Sequence, residues 1–168
     1  MRMASTFRYG VIAAAVLTVG GCRQGDGPVP TPSVEREQEL VDVAHDLQNV
    51  ALGRDPQAAA DLADDLRKYT DGKPKAEPAV DELSRRTVQT LAGVSLPGPA
   101  AQQLAHHYYM AMMAREMSDR QVETLQNDTQ SLLMSIGVAE PTAQQVAQQV
   151  GAVQTLVTDR QRRWYELF

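Results

Sequence analysis

The residue types best able to do chemistry in this 168-residue chain gather in one run, His106-His107-Tyr108-Tyr109-Met110-Ala111-Met112-Met113, with Met117 beyond. On a helix, positions 106, 110, 113 and 117 share one stripe, which reads His, Met, Met, Met. Imidazole and thioether are soft ligands suited to Cu(I) or Ag(I). His106, Met110 and Met113 are therefore the candidate ligands of a soft-metal site for copper or silver under an alternative reading; the main expectation is no cofactor. Packing alone selects the same stripe, because methionine fills irregular gaps in cores. His106 and His107 stand about 100° apart on a helix and cannot share a face; they could instead respond to pH. His45, beside Asp42 and Asp46, reads as a solvated histidine.

Two other clusters carry charge. Asp61, Asp64 and Asp65 form an acidic helix face without the twelve-residue loop of a calcium site, and they read as solvated. Arg160, Arg162 and Arg163 stand near the C-terminus, beside Trp164, Tyr165 and Phe168. Arginine and tryptophan are enriched in binding hot spots, so Arg160, Arg163, Trp164, Tyr165 and Phe168 are the candidate partner-binding residues. The same aromatic cluster can equally cap the end of a bundle. The chain has no Gly-x-Ser-x-Gly elbow, no His-Glu-x-x-His, no phosphate-binding glycine loop and no Cys-x-x-Cys. The expectation is a protein that is not an enzyme.

Helices must position these residues. The first is expected from Ser33 as N-cap, with Leu40, Val43, Ala44, Leu47, Val50 and Ala51 on its apolar face and Gly53 at its end. The second is expected from Asp55 and Pro56, with Ala59, Leu62, Ala63, Leu66 and Tyr69 inward and the three aspartates outward. Asp71-Gly72 stops it, and residues 73–77 read as an internal linker. Pro78 starts a third helix, with Val80, Leu83, Thr87, Val88, Leu91 and Val94 on one side. Leu96-Pro97-Gly98-Pro99 breaks it. The fourth runs to about Glu116 and is apolar around most of its circumference, the mark of a helix at the centre of a bundle. Ser118-Asp119-Arg120-Gln121 is a capping box for a fifth, with Met117 and Val122 as its hydrophobic staple and Gly137-Val138 as its stop. Thr142-Ala143-Gln144-Gln145 reads as a second capping box. It opens a last helix with Val146, Val150, Val153, Val157, Trp164 and Leu167 on one seam. No stretch alternates as a strand does. The expected fold is all-α, an antiparallel bundle of about six helices over residues 33–168.

Residues 23–32, Arg-Gln-Gly-Asp-Gly-Pro-Val-Pro-Thr-Pro, are a flexible Gly/Pro tether reaching about 30 Å at roughly 3.1 Å per residue. Before it, Arg2 and Arg8 precede an apolar run over residues 9–19, then Gly20, Gly21 and Cys22. This is the order of an export signal, and it is too short to span a bilayer, which takes about 20 apolar residues. Val19-Gly20-Gly21-Cys22 resembles the lipobox of bacterial lipoproteins. The resemblance implies removal of residues 1–21, a lipid on the Cys22 thiol, often a further acyl chain such as palmitate on the new amine, and a linker over 22–32. Two or more chains hold a protein stably on a membrane. Arg23, where the sorting rule for the inner membrane would want Asp, points to an outer membrane facing the periplasm if the organism has one.

Removing Arg2 and Arg8 from 16 basic residues leaves 14 against 21 acidic ones. So acidic a domain has no electrostatic reason to bind nucleic acid. Cys22 is the one cysteine, which excludes an internal disulfide and leaves stability to packing. Met117-Ser118-Asp119-Arg120-Gln121 is similar to the apolar-Thr-x-x-Gln motif of Spy-like periplasmic chaperones and metal-stress proteins, with Met and Ser in place of Leu and Thr. That likeness implies a small helical envelope protein. The expected function is a lipid-anchored bundle that docks an envelope protein partner. The alternative is a stress protein that binds a soft metal or acts as a Spy-like chaperone.

Overall fold

The structure, a computed structural model, describes residues 34–53, 57–70, 76–114 and 117–165, with side chains in these segments between 37 and 157. Cys22, the signal segment, the tether, Asp55-Pro56, Asp71-Gly72 and Phe168 lie outside the described residues, as do the side chains of Arg160, Arg163, Trp164 and Tyr165. The chain is all-α: α1 Val34–Leu52, α2 Ala58–Lys68, α3 Glu77–Leu91, α4 Gly98–Met113, α5 Asp119–Ser135 and α6 Glu140–Tyr165. No strand occurs among the described residues. None of their helices is long and apolar enough to cross a membrane.

The helices associate as two consecutive triplets. α1, α2 and α3 pack on one another, and α4, α5 and α6 do the same; α1 against α4 and α3 against α6 join the halves. The segment between α3 and α4 is tied back to α1. Gly93, at φ 77°, donates its amide to Ala51 O at 3.2 Å, and Gln48 Nε2 reaches Leu96 O. Pro97, Gly98 and Pro99 then open α4, where missing amides cost nothing because the first turn has no intrahelical acceptors for them.

Burial follows the three- and four-residue spacing. Val43, Ala44, Leu47, Val50 and Ala51 seal α1 into the core; Leu62 and Leu66 do so for α2, Val80, Leu83 and Leu91 for α3, and Val146, Val150, Val153 and Val157 for α6. Helical context thus overrides the β-preference of the valines, because burying each on one continuous stripe outweighs a few tenths of a kcal/mol of propensity. α4 is the central helix. Ala101, Leu104, Ala105, Tyr108, Ala111 and Met112 are fully buried, and Tyr109 nearly so.

The start of α5 matches its motif. Ser118 Oγ accepts from Gln121 N at 3.3 Å, and Gln121 Oε1 accepts from Ser118 N at 2.7 Å. Its end is a Schellman turn: Val138 N bonds Leu133 O and Gly137 N bonds Met134 O, with Gly137 at φ 95°. Ser118→Ala is expected to cost about 1 kcal/mol, the usual value of an N-cap. Thermal unfolding checks this, with Ser118→Thr as the restoring control.

Several boundaries differ from the sequence expectation. α6 begins at Glu140, so Thr142 lies inside its first turn and caps nothing. Thr142 N and Ala143 N both bond Ala139 O, and Pro141 sits where its missing amide is harmless. α4 stops at Met113, because Ala114 turns extended at ψ 120°, so Met117 is not on its stripe. α2 begins at Ala58 after Gln57. Ala59 and Ala63 are only half-buried, since Ala58 takes the inward place.

Candidate functional site

Three consecutive rings of α4 face three different helices, as a 100° step dictates. The His107 Nδ1 lies 3.1 Å from Thr129 Oγ1 of α5. The Tyr108 hydroxyl lies 2.6 Å from Thr87 Oγ1 of α3. Tyr109 meets Tyr69, the residue that ends α2, edge-on, centroids 5.6 Å apart.

The proton positions follow from counting donors. Each threonine hydroxyl has one hydrogen. Thr87 Oγ1 spends it on Leu83 O and Thr129 Oγ1 on Leu125 O, both at 2.7 Å. Tyr108 must therefore donate to Thr87, and His107 must carry its proton on Nδ1 to donate to Thr129. Burial keeps His107 neutral by lowering its pKa, against the pull of Asp128. Burial likewise pushes the Tyr108 phenol upward. These contacts are structural latches inside the bundle.

The stripe of candidate soft ligands divides. His106 is exposed, and its ring stacks on Tyr109 at 6.3 Å between centroids and 20° between planes. Met110 and Met113 are half-buried and pack against the core. Met117 follows in the loop before α5. Among the described residues no three His, Cys, Asp or Glu side chains are grouped so as to hold a metal ion.

The charged feature that the fold assembles lies between α1 and α2. Asp42, His45, Asp46, Asp61, Asp64, Asp65 and Lys68 line an open pocket of about 500 Å³. Two rows create it: Asp42, His45 and Asp46 at steps of three and one on α1, and Asp61, Asp64, Asp65 and Lys68 on α2. The α1–α2 hairpin turns these rows toward each other. Asp65 is correspondingly not on an outward face: its side chain is only 19% exposed and takes Lys68 Nζ. Asp64 takes Arg67 Nη1 at 2.6 Å, and the same guanidinium reaches Asp81 of α3 at 2.8 Å. His45 is exposed, with its Nδ1 near Asn49 Nδ2.

Asp46 is the exceptional member. Its Oδ2 is buried with no hydrogen-bond donor. Burial raises its pKa to about 6, and the charges of Asp65 and Asp61 add to the rise. Sequence reasoning missed this pocket because it treated each acidic row as a solvated face. The signal was present: two rows at helical spacing on consecutive helices with a short connection.

The chain matches no protein-family model, no curated protein and no solved structure.

Proposed function

We propose that this protein is a non-catalytic, lipid-anchored component of the cell envelope that presents its helical bundle to a protein partner. The anchor rests on Val19-Gly20-Gly21-Cys22 and the Gly/Pro tether that follows. The docking role rests on one observation, the reach of α6. Gln149 Nε2 bonds Ala79 O in the first turn of α3, and Gln154 Nε2 bonds Ala114 O just past α4. α5 folds back from the turn at 136–139 and brings its first residue opposite about Leu156. The helix continues to Tyr165, roughly two turns beyond these neighbouring helix ends. Arg160, Arg163, Trp164 and Tyr165 fall on that stretch beyond the described ends of α3, α4 and α5, and hot-spot residue types on one helix suit groove docking.

Two measurements test the reading. An alkyne fatty-acid label is expected on the native chain and absent from Cys22→Ser; label on the variant overturns the anchor. Crosslinking of the native protein in its membrane, followed by mass spectrometry, is expected to give one reproducible partner, lost in Trp164→Ala. No partner overturns the docking role.

A further inference from the structure

Among the described residues, the lining of the α1–α2 seam holds more carboxylates than cations. Five carboxylates face Lys68, with His45 at the rim. α3 and α4 also pack on α1, yet bring no ionisable side chain to the lining. Arg67 on α2 is committed to Asp64 and Asp81, and Lys68 to Asp65. Among the described residues, no lysine or arginine pairs with Asp46, and His45 is the group whose charge opposes the rise of its pKa.

Among the described residues, the two buried side-chain polar atoms without a hydrogen-bond partner are Asp46 Oδ2 and Tyr69 Oη. Asp46 is on α1, and Tyr69 is the residue that ends α2. A buried carboxylate oxygen lacking a donor is costly. A carboxylic acid in the same place is itself a donor, and Asp65 is the acceptor it faces across the seam. Two carboxyls so placed hold one proton more readily than none, because like charges resist joint ionisation. Tyr69 is not the titrating group: burial, together with Glu39, Asp65 and Asp42, drives its ionisation well above the usual range.

We propose that the α1–α2 seam is a proton-responsive latch, in which Asp46 donates a shared proton to Asp65 in the closed state and loss of that proton to water loosens α2 from α1. The direction is fixed by linkage. The folded carboxyl of Asp46 titrates near 6 instead of 3.8, so the folded state binds more protons between those values. The seam's stability is full at the acidic end and falls as pH rises through about 6. α2 is a short helix of 11 residues that packs on α1 and α3. His107 acts on global stability with the opposite sign. Its folded pKa is depressed, so its contribution is present at neutral pH and lost as pH falls. The test must therefore read α2 alone.

Hydrogen exchange of the α2 amides, corrected for the intrinsic effect of pH, supplies that local reading. Protection over residues 62–68 is expected to fall roughly threefold from pH 5 to pH 7.5; the unscreened shift from 3.8 to about 6 would give about tenfold over that window, and solvent at so open a site reduces it. Asp46→Asn keeps a donor toward Asp65 without the charge, and α2 is expected to stay protected at both pH values. His45→Gln is expected to keep the native response. A carboxyl NMR titration should place the Asp46 midpoint near 6. An unchanged response in Asp46→Asn, a flat native profile, loss of the response in His45→Gln, or an Asp46 midpoint near 4 would each overturn the latch.

Discussion

Tyr108→Ala is expected to destabilise the protein by about 3–5 kcal/mol, the range for truncating a buried aromatic ring. Tyr108 is fully buried on the central helix. Its truncation removes the ring's contacts, leaves a cavity that its neighbours fill only in part, and strips Thr87 Oγ1 of its donor. Leu83 and Leu104 are also fully buried, so little around the ring is free to collapse into the space. Domains of this size have about 5–15 kcal/mol in hand. The melting temperature is expected to fall by roughly 15 °C, and urea unfolding should show a lower midpoint with an unchanged slope. A loss under about 1 kcal/mol would mean that α4 is not the core helix.

Thr87→Val is expected to cost about 2 kcal/mol although it is nearly isosteric. The methyl that replaces Oγ1 cannot accept, so the Tyr108 hydroxyl is left buried with an unspent proton, a penalty of about 1–3 kcal/mol. Tyr108→Phe should cost less, about 1 kcal/mol, because Thr87 Oγ1 still donates to Leu83 O. The double variant removes both partners and is expected to be more stable than the sum of the single losses by about 1 kcal/mol. Additivity across that cycle would show that the hydroxyls do not depend on each other. The ordering Thr87→Val worse than Tyr108→Phe tests the proton assignment directly, since the reverse donor direction would put the larger penalty on the tyrosine change.

The helices were legible because their signals are local. Three- and four-residue spacing marked Val43 to Ala51 and Val146 to Val157. Ser118 and Gln121 marked the start of α5, and Gly137 its end. Where two local signals competed, the sequence misled: Thr142 has a capping-box spacing, but Pro141 and the Ala139 carbonyl start α6 earlier. Helical spacing placed Met117 on the α4 stripe, and the extended backbone at Ala114 ended the helix before it.

The chemistry was less legible, because it depends on which rows meet. His106 and His107 differ by one residue. One stacks in solvent on Tyr109 and the other is locked on Thr129, a distinction set by α5 and invisible along α4. Asp65 reads as a surface acid until α1 is laid beside it. From its sequence alone, this protein is determined to be an acidic all-α chain with its order of helices, its apolar stripes and its best cap. These follow from bonds and contacts within a few residues of each other. The tertiary structure decided that three neighbouring rings latch three helices and that two rows of aspartate share one seam. Those outcomes depend on the desolvation and pairing of groups distant in the chain, and no local pattern encodes them.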